Sequence, residues 1–218
     1  MRGKLLIACV VALASVPTAA SASTAELTYP TGTRLATGNT LKGVNTGSIT
    51  FKTAGGALLW ECTTASMTGT LVKNNGTEVE ANVEALTMTG TAAESKCTSG
   101  EVTGNKKVTL GVAQGLPWCL KATSTMKEDE FQIRGGKCSE ASRQINFGLD
   151  DALGECKYKR GEAIAGTFTT EPSDAVLSVP ASEFVKESGS IGCTTAYRIE
   201  FSLTLERDEE GTHPVYLS

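Results

Sequence analysis

The sequence predicts an all-β chain, a disulfide-stapled antiparallel β-sandwich of many short strands. Three observations carry that expectation. Apolar residues recur with period two nearly everywhere, six cysteines follow an export signal, and Gly, Asn and Asp clusters interrupt the alternation at short intervals. No segment holds a 3.6-residue apolar stripe for three turns, the pattern that an ordinary amphipathic helix needs.

The chain opens on a basic head, Met1-Arg2-Gly3-Lys4, followed by an apolar run from Leu5 to Val16. Pro17 breaks the run, and Ala20-Ser21-Ala22 places small residues at the −3 and −1 positions of a cleavage site. Residues 1–22 therefore read as a secretory signal peptide cut after Ala22, with 23–218 as a single β-sandwich-like domain. The run is much shorter than the roughly 20 residues that span a bilayer, so no transmembrane segment is expected after cleavage. Leu6-Ile7-Ala8-Cys9 has the outline of a lipoprotein box, but it lies inside the apolar run with almost nothing hydrophobic before it.

Strand signals follow in order. Ile49 and Phe51 alternate with polar neighbours ahead of a Gly55-Gly56 turn. A strand from Met67 to Lys73 meets the hairpin signal Asn74-Asn75-Gly76 and returns through Val79, Ala81, Val83 and Ala85. The apolar phase then flips to Leu86 and Met88, which predicts a bulge or a bend. Further strands are expected at Ile145/Phe147/Leu149, Ile164/Gly166/Phe168 and Ala175/Leu177/Val179, with turns at Gly135-Gly136 and Asp208–Gly211. Pro180 to Lys186 fits either a helical turn or a short strand. Tyr197, Ile199, Phe201, Leu203 and Leu205 mark one long strand with a buried and a wet face. A subdivision is possible near 99–107, and Cys62-Thr63-Thr64-Ala65 recurs as Cys193-Thr194-Thr195-Ala196, a hint of related hairpins.

Removing the signal peptide takes away Cys9 and leaves Cys62, Cys97, Cys119, Cys138, Cys156 and Cys193. An even count in an exported chain reads as a disulfide framework. Sequential pairing, Cys62–Cys97, Cys119–Cys138 and Cys156–Cys193, keeps each bridge among neighbouring strands. The first pair then encloses the Met67–Met88 hairpin, the second a hairpin turning at Glu128-Asp129, and the third starts from a Cys156–Thr170 hairpin.

The mature balance of 18 basic against 24 acidic groups argues against nucleic acid, whose binding rests on a basic face. With aromatic residues at 6%, stacking platforms are few. Without a C-x-x-C pair, and with one histidine, a zinc site has no support, and neither metal nor cofactor is expected.

Tyr29-Pro30-Thr31-Gly32-Thr33, Leu116-Pro117-Trp118-Cys119, Asp129–Gly136, Glu155-Cys156-Lys157-Tyr158 and Pro214-Val215-Tyr216-Leu217 resemble segments of a group of uncharacterised exported actinobacterial proteins, β-rich and cysteine-containing. The resemblance spans most of the mature chain. It implies secretion and a cysteine-stapled β fold, and it carries over no functional residue.

Each chemical constellation has a plainer structural reading. His213, between Gly211-Thr212 and Pro214, reads as a solvated turn histidine, and no G-x-S-x-G elbow accompanies it. Ser124-Thr125-Met126-Lys127 spells S-x-x-K, but a working motif needs a helix that puts Ser and Lys on one face. Glu78, Glu80 and Glu84 share a strand face and supply the paired carboxylates of a glycosidase, or simply a wet face. Trp60 and Trp118 flank cysteines and suit packing on a disulfide better than stacking a sugar. The acidic groups Glu128-Asp129-Glu130, Asp150-Asp151 and Asp208-Glu209-Glu210 lack calcium-loop spacing. Lys157-Tyr158-Lys159-Arg160 reads as a charged edge strand, and Asn75-Gly76-Thr77 as a turn more than a glycosylation sequon.

The expected function is therefore that of an exported, non-catalytic β-module with a binding or structural role at the cell envelope or outside the cell, its partner a surface polymer or protein. The alternative is a secreted, carboxylate-dependent hydrolase directed at glycans.

Overall fold

The computed structural model describes residues 25–90, 97–99, 113–126, 129–140, 144–151, 154–171, 174–189, 191, 193–208, 212–214 and 216–217. The signal peptide and residues 100–107 of the possible subdivision lie outside them. The strands are β1 (Leu27–Thr28), β2 (Thr40–Asn45), β3 (Ile49–Lys52), β4 (Leu58–Cys62), β5 (Thr64–Asn74) and β6 (Glu78–Thr89). They continue with β7 (Thr98–Ser99), β8 (Ala113–Gln114), β9 (Trp118–Thr123), β10 (Glu130–Gly135), β11 (Ile145–Asp151) and β12 (Gly154–Arg160). The last five are β13 (Ile164–Glu171), β14 (Asp174–Ser188), β15 (Ala196–Asp208), β16 (Thr212–Pro214) and β17 (Tyr216–Leu217). Among the described residues the sole helical element is a 3-10 turn, Cys138–Glu140.

The chain is all-β and antiparallel, as the alternation predicts, but its main sheet closes on itself. Eight strands run β15–β2–β5–β6–β9–β10–β13–β14 and return to β15, forming a barrel where the sequence suggested a sandwich. Period-two alternation is common to both architectures, so closure is decided by long-range pairing.

The hairpin of β14 and β15, 15 and 13 residues long, serves two sheets. Ala175 to Val179 pair with Leu205 to Phe201 in the barrel, while Ser182 to Val185 pair with Ile199 to Ala196 in a second sheet. The register shifts between Val179 and Ser182, at Pro180, where a residue without an N–H is tolerated because the ladder is already interrupted. Pro180 to Lys186 is thus strand. The second sheet adds β3, β4 and β7 to one side of this hairpin and β12, β11 and β8 to the other.

The phase flip in β6 is a bulge. Thr68 pairs with Ala85 and Gly69 with Val83, leaving Glu84 as the extra residue. A Cβ on Gly69 would stand 2.5 Å from the Asn82 carbonyl oxygen, so the bulge requires glycine opposite it. Alternate side chains of every barrel strand point inward, among them Leu71, Val79, Leu120, Phe131, Phe168, Leu177 and Leu203. Phe131 and Phe168 meet at a tilt of 51° with centroids 4.8 Å apart. Gly166 leaves room for the Phe131 ring, since a Cβ there would lie 2.6 Å from Phe131 Cε1.

The second sheet curls around an aromatic core. Phe51 on β3 reaches Phe147 on β11 at 5.9 Å, although β15, β14 and β12 separate their strands in the ladder. Tyr197 is the hub, stacked on Phe184 at 5.5 Å and edge-on to Tyr158 at 4.5 Å. Its hydroxyl is buried and meets no hydrogen-bond partner among the described residues, and burial raises its pKa well above that of a free tyrosine.

The bridges are Cys62–Cys97, Cys119–Cys138 and Cys156–Cys193, closing separations of 35, 19 and 37 residues. The Cys156–Thr170 hairpin, by contrast, does not form. β12 pairs with β11 and β14, β13 pairs with β10 and β14, and the chain between them crosses from the second sheet to the barrel. β12 is also no edge strand, because it has a neighbour on both sides.

Candidate functional site

A polar concave surface lies on the outer wall of the barrel, over β6, β9 and β10. Register brings Glu80, Lys121 and Gln132 into one row across the three strands, and Asn82, Cys119 and Arg134 into the next. These positions alternate with the inward-facing Ala81, Leu120 and Ile133, so the β period itself aims them outward. The chain then doubles back after Gly135, at the end of β10. Cys138 bridges to Cys119, and its backbone N–H donates to Asn82 Oδ1 at 2.9 Å, pinning the 3-10 turn onto the barrel wall.

A depression of about 320 Å3 results, lined by Glu80, Lys121, Thr123, Met126, Gln132, Arg134 and Cys138. Residues on either side of Cys138 help form a second cleft of about 610 Å3, with Gly115–Pro117, Gly136, Lys137, Glu140, Gln144 and Asn146 around it. Gln144 donates to Asn146 Oδ1 at 3.0 Å there.

The charges in the first depression are unequally compensated. Lys121 Nζ lies 2.8 Å from Glu80 Oε1 and makes a close ion pair with Glu78, which Lys73 also contacts. Hydrogen bonds from Lys121 and then Lys73 lower the Glu78 pKa to about 2, and hydrogen bonds to Glu78 and then Glu80 raise that of Lys121. Arg134 differs. Its Nη2 donates to the neutral Gln132 amide oxygen at 2.7 Å, and among the described residues it meets no carboxylate.

The other sequence candidates are scattered. Glu84, the third acid of the expected carboxylate face, sits at the bulge and accepts from Thr70 Oγ1 at 3.1 Å, outside the lysine-bound pair. Ser124 to Met126 form a turn, and Lys127 lies outside the described residues, so no helix aligns the S-x-x-K letters. Trp60 and Trp118 are buried, Trp60 edge-on to Phe51, and neither offers a surface platform. His213 lies in β16 opposite Arg207, in a strand where a turn was expected.

Among the acidic clusters, Asp129 occupies a left-handed turn, Glu130 begins β10, and Glu128, Glu209 and Glu210 lie outside the described residues. Asp150 and Asp151 pair with Glu155 and Gly154 across β11 and β12, and Asp208 ends β15. No three His, Cys, Asp or Glu side chains among the described residues are grouped so as to hold a metal ion. Lys157 and Lys159 pair with Glu155 and Glu187, while Tyr158 between them is fully buried. Asn75 Oδ1 accepts from the backbone N–H groups of Thr77 and Glu78, so the sequon is an Asx turn, with Gly76 at φ 87°.

Sequence reasoning missed Lys121, Gln132 and Arg134. Their signal was available, since all three occupy polar positions in an alternating hairpin around Glu128-Asp129.

Comparisons with protein-family models, with curated proteins and with solved structures find no match to the chain.

Proposed function

We propose that the protein is an exported, non-catalytic β-barrel module that binds a surface polymer carrying hydroxyl and carboxylate groups, an acidic glycan, in the depression at Arg134. Its place of action is outside the cell or at the envelope. Three disulfides fit an oxidising compartment, and no helix among the described residues is long and apolar enough to cross a membrane.

The observation that carries this reading is the contrast between the two cations. Lys121 is neutralised by Glu78 and Glu80, whereas Arg134, among the described residues, meets a neutral amide and no carboxylate. A planar fork of donors suits a carboxylate, and Thr123, Gln132 and Glu80 supply further donors and acceptors for hydroxyls. Burial of both tryptophans supports recognition by hydrogen bonds and charge over ring stacking. The hydrolase alternative has weaker support. Glycoside hydrolysis needs one carboxyl kept protonated near neutral pH, and Glu78 is pushed the other way.

The test is a thermal-shift screen of the oxidised protein against acidic and neutral cell-wall glycans, calcium and anionic lipid vesicles. Stabilisation by acidic glycans, lost in Arg134→Ala, supports the assignment. Stabilisation by calcium or vesicles alone, or release of cleaved sugar, contradicts it.

A further inference from the structure

The geometry points to a second property of the same wall, independent of the glycan reading: the Cys119–Cys138 bridge is a thiol-exchange site, and the other two bridges are structural. Cys62, Cys97, Cys156 and Cys193 are 7% exposed or less, but Cys138 is partly exposed and lines the depression. An incoming thiolate would therefore approach the bridge from the Cys138 side, in line with the dependence of exchange on which sulfur can be reached.

The leaving group is also provided for. Attack on Cys138 Sγ breaks the S–S bond and places the electron pair on Cys119 Sγ. Cys119 is the direct cross-strand partner of Arg134, an arrangement that sets the two Cβ atoms about 5 Å apart on one sheet face. A guanidinium at that position stabilises the departing thiolate, as cations do for low-pKa cysteines. The product is a mixed disulfide on Cys138. A dithiol reagent completes the exchange: its second thiolate attacks the attached sulfur, leaves as the cyclic disulfide, and frees Cys138 as a thiolate.

Opening is compatible with the fold. β9 and β10 remain joined by their own ladder, from Gln132–Lys121 to Gly135–Trp118. What is released is the 3-10 turn, held then by the Cys138 N–H to Asn82 contact.

The test is partial reduction of the native oxidised protein with dithiothreitol, trapping with iodoacetamide, and peptide mapping. Cys119 and Cys138 should be alkylated together, about tenfold faster than the other four cysteines, whose bridges need local unfolding to react. Arg134→Gln should slow that opening about threefold or more at fixed pH while leaving Cys62–Cys97 and Cys156–Cys193 unchanged. Opening of either buried bridge first, or of all three together, overturns the site. An unchanged rate in Arg134→Gln overturns the role of the guanidinium.

Discussion

Lys121 on β9 and Glu78 on β6 form a close ion pair on the barrel's outer wall, two residues out of register along the ladder, with Glu80 and Lys73 extending it to four charges. The pair has a signed consequence for pH. Glu78 titrates at about 2 in the folded chain against 4.5 ordinarily, so its contribution is fully present above pH 4.5 and is lost as pH falls toward 2. The wild-type melting temperature should therefore decline through that window. In Glu78→Gln the decline should be shallower, measured by calorimetry from pH 7 to pH 2, and an equally steep fall would remove Glu78 as a cause.

Asn74 should prove a structural keystone. Its buried side chain accepts from Leu27 N–H at 3.0 Å and donates to the carbonyls of Leu27 and Leu35 at 2.8 and 3.0 Å. It thereby acts as a strand partner for a segment with few ladder bonds of its own. Asn74→Ala removes hydrogen bonds from three buried backbone groups, of which the Leu27 carbonyl keeps the Leu35 N–H, and should cost about 2–4 kcal/mol in urea unfolding.

Gly166→Ala should destabilise where most glycine-to-alanine changes in strands do not. The added methyl would approach the Ser178 carbonyl oxygen to 2.5 Å and Phe131 Cε1 to 2.6 Å, with Phe131 Cζ closer still. Overpacking of this kind costs about 1–3 kcal/mol, and a combined Gly166→Ala/Phe131→Leu variant should recover part of it.

Tyr197 separates packing from polarity in the aromatic core. Tyr197→Phe removes a buried hydroxyl that meets no partner among the described residues and should be neutral or stabilising. Tyr197→Ala empties the hub between Phe51, Phe147, Tyr158 and Phe184 and should cost about 3–5 kcal/mol. Equal losses in both variants would show that the hydroxyl is satisfied.

These residues also show what a linear pattern can carry. The β5–β6 hairpin was legible down to its bulge, because Asn75-Gly76 and the flip from Val83 to Leu86 are local signals. The disulfide pairing followed from the neighbourhood of consecutive strands. Barrel closure was not legible. It depends on β15 pairing with β2 across more than 150 residues, and alternation within a strand does not name the strand's partner. The β12–β13 crossing was hidden for the same reason. At the candidate site, Glu78 and Glu80 were visible as a pair of acids, but their neutralisation by Lys121 exists only in the register between strands about 40 residues apart.

Arg134, which meets no carboxylate among the described residues, is proposed to make this wall a binding surface for carboxylate-bearing glycan. Isothermal titration of the oxidised protein with a soluble acidic cell-wall oligosaccharide, beside its carboxyl-reduced counterpart, tests it most directly. Binding of the acidic form should weaken about tenfold or more on carboxyl reduction, and by a similar factor in Arg134→Ala, the loss of one charge-assisted hydrogen-bonded pair. Equal affinity for both oligosaccharides, or an Arg134→Ala protein that binds as wild type, would contradict it.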